Sequence, residues 1–188
     1  MASSSLFRIG GIAGILSIVL IIGYAVWPPL LAVGALVLAV FIFALYRLFS
    51  PGSPMLSLVG AAVGIGGAVI LAVMLLIRGD QNAAPQNLAL WASMFFPPLV
   101  FGLAAWQQPK VGMPRPLAII GLVGGVFGLV NLLLTLAGGG NWSQPNNPAL
   151  AMPIMLAYYV ATLATLVWMV WTGIILVRMK PAAAAQPA

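Results

Sequence analysis

The chain has 188 residues, of which 63% are hydrophobic and 4% are charged, whereas a soluble domain carries about 25% charged residues. This composition excludes a water-soluble globular protein, because the few polar groups cannot cover its surface, and it predicts that lipid is the solvent. The net charge of +6 comes without a basic patch interleaved with aromatics, so we expect no nucleic-acid partner.

Six apolar runs are long enough to cross a bilayer, which takes roughly 20 residues. We predict helices at about 9–27, 30–49, 55–77, 88–106, 116–137 and 150–177. The expected fold is an all-α integral membrane protein. Residues 1–180 are predicted to form a single six-helix domain in the lipid bilayer, and residues 181–188 a Pro/Ala-rich cytoplasmic tail.

The first two runs are separated only by Pro28-Pro29. Proline pairs end helices, and the residue before a proline is pushed toward extended geometry, so we predict a tight hairpin there. Arg8, the apolar stretch after it and Gly23-Tyr24-Ala25 also fit the pattern of a secretory signal peptide. We interpret this segment as a retained membrane helix.

Small residues recur at a spacing of four in the first, third and fifth predicted spans. The pairs are Gly10 and Gly14, Gly60 and Gly64, and Gly121 and Gly125, extended by one turn at Ser17, Gly67 and Gly128 respectively. In lipid such a stripe lets another helix approach closely, which predicts packing through these spans. The pattern suggests three consecutive helical hairpins, although the unequal intervals between the pairs argue against a true triplication.

The positive charges lie at the ends of the apolar runs and predict an orientation. With the N-terminus inside, six of the seven basic residues fall on the inner side, namely Arg8, Arg47, Lys110, Arg115, Arg178 and Lys180. Only Arg78 falls outside, beside Asp80. We therefore expect both termini to lie in the cytoplasm. We interpret the membrane as a bacterial cytoplasmic membrane.

The fifth span carries an amide in its middle. Gly121, Gly124, Gly125, Gly128, Asn131 and Thr135 all fall on one helical face. An amide in hydrocarbon is unfavourable unless it is hydrogen-bonded, so we interpret Asn131 as part of the helix packing in preference to a ligand contact.

Two further features bear on function. Pro97 and Pro98 in the fourth span deprive the carbonyls of Ser93 and Met94 of helical partners and predict a kink, while broken helices also form binding sites in transporters. In the sixth span Tyr158, Thr162 and Thr165 share a face. Convergence of this face with Asn131 and Thr135 would be the best argument for a channel.

The sequence offers little reactive chemistry. It has no His and no Cys, and its one acidic residue lies in a predicted outer loop. A general acid–base pair, an activated nucleophile and a metal site all need residues of these types. We therefore expect no enzyme activity, no catalytic residue and no metal, and no cofactor is required. Binding of lipid, quinone, carotenoid or a chlorin through contacts other than His stays open.

Two functions remain open from sequence. The first is a non-catalytic integral subunit of a larger membrane complex, such as a respiratory or photosynthetic one, that scaffolds other integral membrane subunits or packs lipid or pigment. The alternative is a small channel or facilitator for a neutral or apolar solute.

Overall fold

The computed structural model describes residues 4–78, 84–108, 113–138 and 146–179. These residues form seven α-helices and one short 3-10 helix: α1 (Ser4–Gly23), α2 (Pro29–Phe49), α3 (Pro54–Arg78), α4 (Ala84–Met94), α5 (Phe96–Gln107), α6 (Arg115–Gly138), the 3-10 helix Pro148–Leu150, and α7 (Ala151–Arg178). With α4 and α5 counted together, six helical stretches are long and apolar enough to span a membrane. For the described residues, the predicted all-helical class with six candidate membrane spans is confirmed. Lys110, Asp80, Lys180 and the tail lie outside the described residues.

The turn between α1 and α2 begins earlier than the proline pair. Helix α1 ends at Gly23, and successive turns follow, with the amides of Tyr24 and Val26 donating to the carbonyls of Ile21 and Gly23 at 3.4 and 3.0 Å. The prolines start the next helix instead of ending the previous one. A proline in the first helical turn loses no intrahelical hydrogen bond, because that N–H has no helical partner in any case.

Proline has the same role elsewhere in the chain. Pro54 is the first residue of α3, Pro116 the second of α6 and Pro153 the third of α7. Each lies where the backbone N–H groups have no partner within the helix. These prolines therefore mark the helix starts without interrupting any span.

The six spans form a closed ring. Helix α1 packs against α2 and α7, α2 against α3, α3 against both α4 and α5, α5 against α6, and α6 against α7. Neighbours in the chain are thus neighbours in space, and the first and last spans meet.

The centre of the ring is filled by aromatic side chains. Phe41, Phe49, Phe101 and Trp168 are all at most 1% exposed. Phe41 meets Trp168 edge-on with ring centroids 5.9 Å apart, and Phe49 stacks on Phe101 at 5.8 Å. Offset and edge-on pairs of this kind add stability beyond the apolar area that they bury.

Four exposed arginines lie at one end of the ring, which we call the arginine end. They are Arg8 near the start of α1, Arg47 near the end of α2, Arg115 at the start of α6 and Arg178 at the end of α7. Because neighbouring helices run antiparallel, these positions fall on the same side of the bundle. Arg78 ends α3 at the opposite end.

A side chain that the sequence analysis did not single out joins two connections at the arginine end. The Gln108 amide donates from Nε2 to the Ser53 hydroxyl at 2.6 Å and approaches the Phe49 carbonyl at 3.5 Å. Phe49 is the last residue of α2 and Ser53 lies in the turn before α3, whereas Gln108 caps α5. The contact therefore links turns that are 55 residues apart in the chain.

Candidate functional site

The glycine stripe of α6 lies between α5 and α7. A Cβ built at Gly124 would lie 2.8 Å from the Thr165 hydroxyl of α7, and one built at Gly125 would overlap the Cβ of Leu99 in α5. Any larger side chain at either position would push α6 away from its neighbours. The stripe thus packs against two helices of the same chain at once.

The two ends of that stripe contact bulky aromatics. A Cβ at Gly121 would meet Trp168 Nε1 at 2.7 Å, and one at Gly128 would meet Phe95 Cγ at the same distance. The absence of side chains on α6 therefore makes room for one aromatic from α7 and one from the break in the fourth span.

The glycines of α1 and α3 also face neighbouring helices. In α1, a Cβ at Gly14 would lie 2.7 Å from the Phe41 ring, and one at Gly10 would overlap the Cβ of Ala44. In α3, built Cβ atoms at Gly60 and Gly64 would lie 2.8 Å from Val100 Cγ1 and 2.7 Å from Pro97 Cγ. The paired glycines of α1 therefore face α2, and those of α3 face the fourth span.

Two glycines outside the predicted pairs close the ring. A Cβ at Gly11 would lie 2.5 Å from the Gly173 carbonyl oxygen, and one at Gly173 would lie 2.9 Å from the Gly11 carbonyl oxygen. The backbones of α1 and α7 therefore touch at this crossing. This contact needs one glycine from each of two helices, so the spacing of glycines within a single helix does not predict it.

The fourth span is broken at Phe95. Helix α4 ends at Met94, the Phe95 amide still donates to the Trp91 carbonyl at 2.9 Å, and α5 begins at Phe96 with Pro97 and Pro98 at its start. Both prolines are buried. The two missing N–H groups explain the interruption where the sequence predicted a kink, because the helix cannot continue its hydrogen bonds across them.

A small cavity adjoins this break, between α4, α6 and α7. Its volume open to the centre of a water molecule is about 20 Å³. The residues lining it are Asn87, Leu90, Trp91, Phe95, Asn131, Leu132, Thr135 and Tyr158. Thus Asn131 and Thr135 of α6 and Tyr158 of α7, which the sequence raised as a convergent polar group, line one site.

Asn131 holds α6 to α7. It is 7% exposed, and its Nδ2 donates to the Ile154 carbonyl at 3.0 Å. A buried amide bonded across two membrane helices is a stabilising contact of modest size, averaging about 0.6 kcal/mol. The other side-chain atom of the amide, Oδ1, is an acceptor and takes no part in this bond.

The other two residues of the predicted polar face of α7, Thr162 and Thr165, lie away from the cavity. Thr165 is fully buried against Gly124, and its hydroxyl has no hydrogen-bond partner among the described residues. Thr162 lies one turn after Tyr158, and its hydroxyl interacts with the Tyr158 side chain. Neither lines the cavity that Tyr158 lines. The polar face therefore contributes Tyr158 to the cavity, whereas Thr165 belongs to the contact between α7 and α6.

The described residues of the site are neutral side chains, with Tyr158 the one titratable group among them. Among the described residues no group of three or more His, Cys, Asp or Glu side chains comes together. The arrangement can donate and accept hydrogen bonds, which suits neutral polar groups.

Comparison with known proteins adds no information about this site. No protein-family model, no curated protein and no solved structure matches this chain.

Proposed function

We propose that the chain is a non-catalytic integral membrane subunit that packs against a membrane-spanning helix of a partner protein through the outward face of α3. One observation carries this proposal. A Cβ built at Gly66 would meet no atom within 4 Å, whereas every other glycine whose surroundings the structure describes has another residue that close.

The surroundings of Gly66 suit a helix. Two shallow apolar grooves run beside it, about 290 Å³ between α2 and α3 and about 390 Å³ between α3 and α4, and both include Ala62 and Gly66. Small residues four apart are the pattern that lets membrane helices approach closely. Gly60 and Gly64 on the inward face of α3 pack against α5 through this spacing. Ala62 and Gly66 repeat the spacing on the outward face, which supports a contact with a helix of another protein.

The wider proposal concerns the assembly and its membrane. We propose a multi-subunit complex, such as a respiratory or photosynthetic one, in a bacterial cytoplasmic membrane, with the arginine end and both termini facing the cytoplasm. The positive-inside bias supports that orientation. No cofactor is required. The outward grooves, including one of about 560 Å³ beside Trp171 and Arg178, are large enough to take an acyl chain, quinone, carotenoid or chlorin.

The alternative is a small channel or facilitator for a neutral or apolar solute, favoured by the broken fourth span and the polar cavity. A facilitator needs a continuous path, and the centre of the ring is filled by Phe41, Phe101 and Trp168. This packing supports the subunit over the channel. Rapid uptake of a neutral solute by liposomes that contain the purified chain would favour the channel instead.

The test compares two glycines on opposite faces of α3. Gly66→Leu places a side chain in open space and replaces a poor helix former, so the protein should fold as well as the wild type. It should lose co-migration with its partner on a native gel of membranes solubilised in mild detergent. Gly64→Leu is the matched variant, since its side chain would collide with Pro97 and Ile42, and it should lower the thermal stability of the chain itself.

The outcomes separate the two faces. Migration of the wild-type chain alone, or only as a homo-oligomer, would contradict a hetero-oligomeric complex. Retention of the partner band by folded Gly66→Leu would instead move the interface to another face.

A further inference from the structure

We propose that the cavity between α4, α6 and α7 is a binding site for one water molecule, held by Trp91, Asn131 and Thr135. The site lies beside the Phe95 break and is independent of the proposed partner surface on α3. Polar atoms in the cavity wall lack partners among the described residues.

Two donors at the cavity are unsatisfied. The Trp91 Nε1–H group and the Thr135 hydroxyl are buried and have no hydrogen-bond partner within the part of the chain that the structure describes. Thr135 is 8% exposed, and both residues line the cavity. Buried polar groups in proteins are nearly always paired, with ordered water when protein groups are out of reach.

Asn131 supplies the complementary acceptor. Its amide nitrogen is used by the Ile154 carbonyl, which leaves Oδ1 with its lone pairs. The three groups therefore offer an indole donor, a hydroxyl that donates or accepts, and an amide acceptor. Water is both donor and acceptor, so one molecule can satisfy all three.

Size and charge restrict the occupant to water. One water molecule needs a cavity of roughly 10–15 Å³. The cavity volume, measured in the same way, is about 20 Å³, which is enough for one water. A larger solute does not fit. No charged side chain among the described residues lines the cavity, so an ion would lose its hydration shell without compensation.

The bound water has a structural consequence at the break. Trp91 lies on α4, one turn before Phe95, whereas Asn131 and Thr135 lie on α6. A water bonded to all three bridges α4 to α6 where the backbone of the fourth span is interrupted. The water thus holds α4, the first half of the broken fourth span, against α6.

The first experiment measures whether removal of the Thr135 hydroxyl lowers or raises the thermal stability of the protein. In Thr135→Val the side chain keeps its branched shape but loses its hydroxyl. If a water is bound, the variant loses one of the water's partners, and the midpoint of thermal unfolding of the full chain in nanodiscs should fall by roughly 2–4 °C. If the cavity is dry, the variant removes an unsatisfied group and the midpoint should stay level or rise, which overturns the proposal.

Thr172→Val is the matched control. Thr172 is fully buried and its hydroxyl also lacks a partner among the described residues, yet it does not line the cavity. Its valine variant should not lower the midpoint. Equal losses in both variants would assign the Thr135 effect to general packing and overturn the water site.

A second measurement detects the water directly. Radiolysis by a brief X-ray pulse oxidises side chains that touch ordered water, so Trp91 should be modified. Trp168, whose buried Nε1 is equally without a partner among the described residues but lies outside the cavity, should not be. Thr135→Ile, which replaces the hydroxyl by an ethyl group that fills the cavity, should abolish the modification of Trp91. Labelling that persists in this variant contradicts the site.

Discussion

Gly125 sets the distance between α6 and α5, because its missing side chain is where the Leu99 Cβ lies. We expect Gly125→Leu to disrupt the bundle far more than Leu133→Ala, since the leucine at 125 must displace a helix backbone. Overpacking typically destabilises by 1–3 kcal/mol and sometimes more. Leu133 is 56% exposed toward lipid, and its truncation should stay within about 0.5 kcal/mol.

Both variants are compared by thermal unfolding and by size-exclusion chromatography in the same detergent. Equal tolerance of the two substitutions would contradict the view that the glycine stripe determines packing. Aggregation of Gly125→Leu with a wild-type profile for Leu133→Ala is the expected result.

Residues whose role depends on their own helix were predictable from the sequence. The face shared by Gly121, Gly124, Gly125 and Asn131 follows from helical periodicity alone. Helical periodicity does not predict the Gly11–Gly173 contact or the Gln108 hydrogen bonds, because each needs the relative position of distant segments. The unsatisfied Trp91 donor was invisible for the same reason.

At the scale of elements, prolines in this chain act in two ways that the sequence distinguishes only in part. Pro29 and Pro54 lie in first turns, where no N–H is needed, and they fix the helix starts. Pro97 and Pro98 fall inside an apolar run of full span length, and there the helix breaks. The break was predictable as an interruption, whereas the cavity beside it depends on which side chains α6 and α7 bring.

The connection between α5 and the α2–α3 turn yields a prediction. Gln108→Ala removes the hydrogen bond to Ser53 and should lower the free energy of unfolding by about 1 kcal/mol. The neighbouring Gln107 is exposed, so Gln107→Ala should have no measurable effect. Denaturant titration of the purified protein in mixed micelles gives both values.

A double-mutant cycle identifies the bond itself. Ser53→Ala removes the other partner, so the two single losses should not add in the double variant, leaving a coupling of about 0.5–1.5 kcal/mol. Strict additivity would show that the hydrogen bond contributes nothing and that Gln108 acts only by packing.

At the scale of the whole molecule, the described helices form a closed ring. The contact between α1 and α7 joins the two ends of the helical order, and Phe41 and Trp168 fill the centre. The outward surface is apolar and, among the glycines whose surroundings the structure describes, carries one open site, at Gly66, which points any association to the lateral faces. The fold class was predictable because composition alone requires lipid, whereas ring closure was not, because no local pattern encodes it.

The orientation of this ring in the membrane is testable because the sequence contains no cysteine. Single cysteines therefore give labels without background. Ala25 and Asn146 are exposed at the end opposite the arginines, and Pro51 is exposed at the arginine end. With the arginine end in the cytoplasm, a membrane-impermeant maleimide added to intact cells should label Ala25→Cys and Asn146→Cys. It should not label Pro51→Cys until the membrane is opened. The reverse pattern would invert the topology, and labelling of Ala25→Cys without Asn146→Cys would contradict an even number of spans between them.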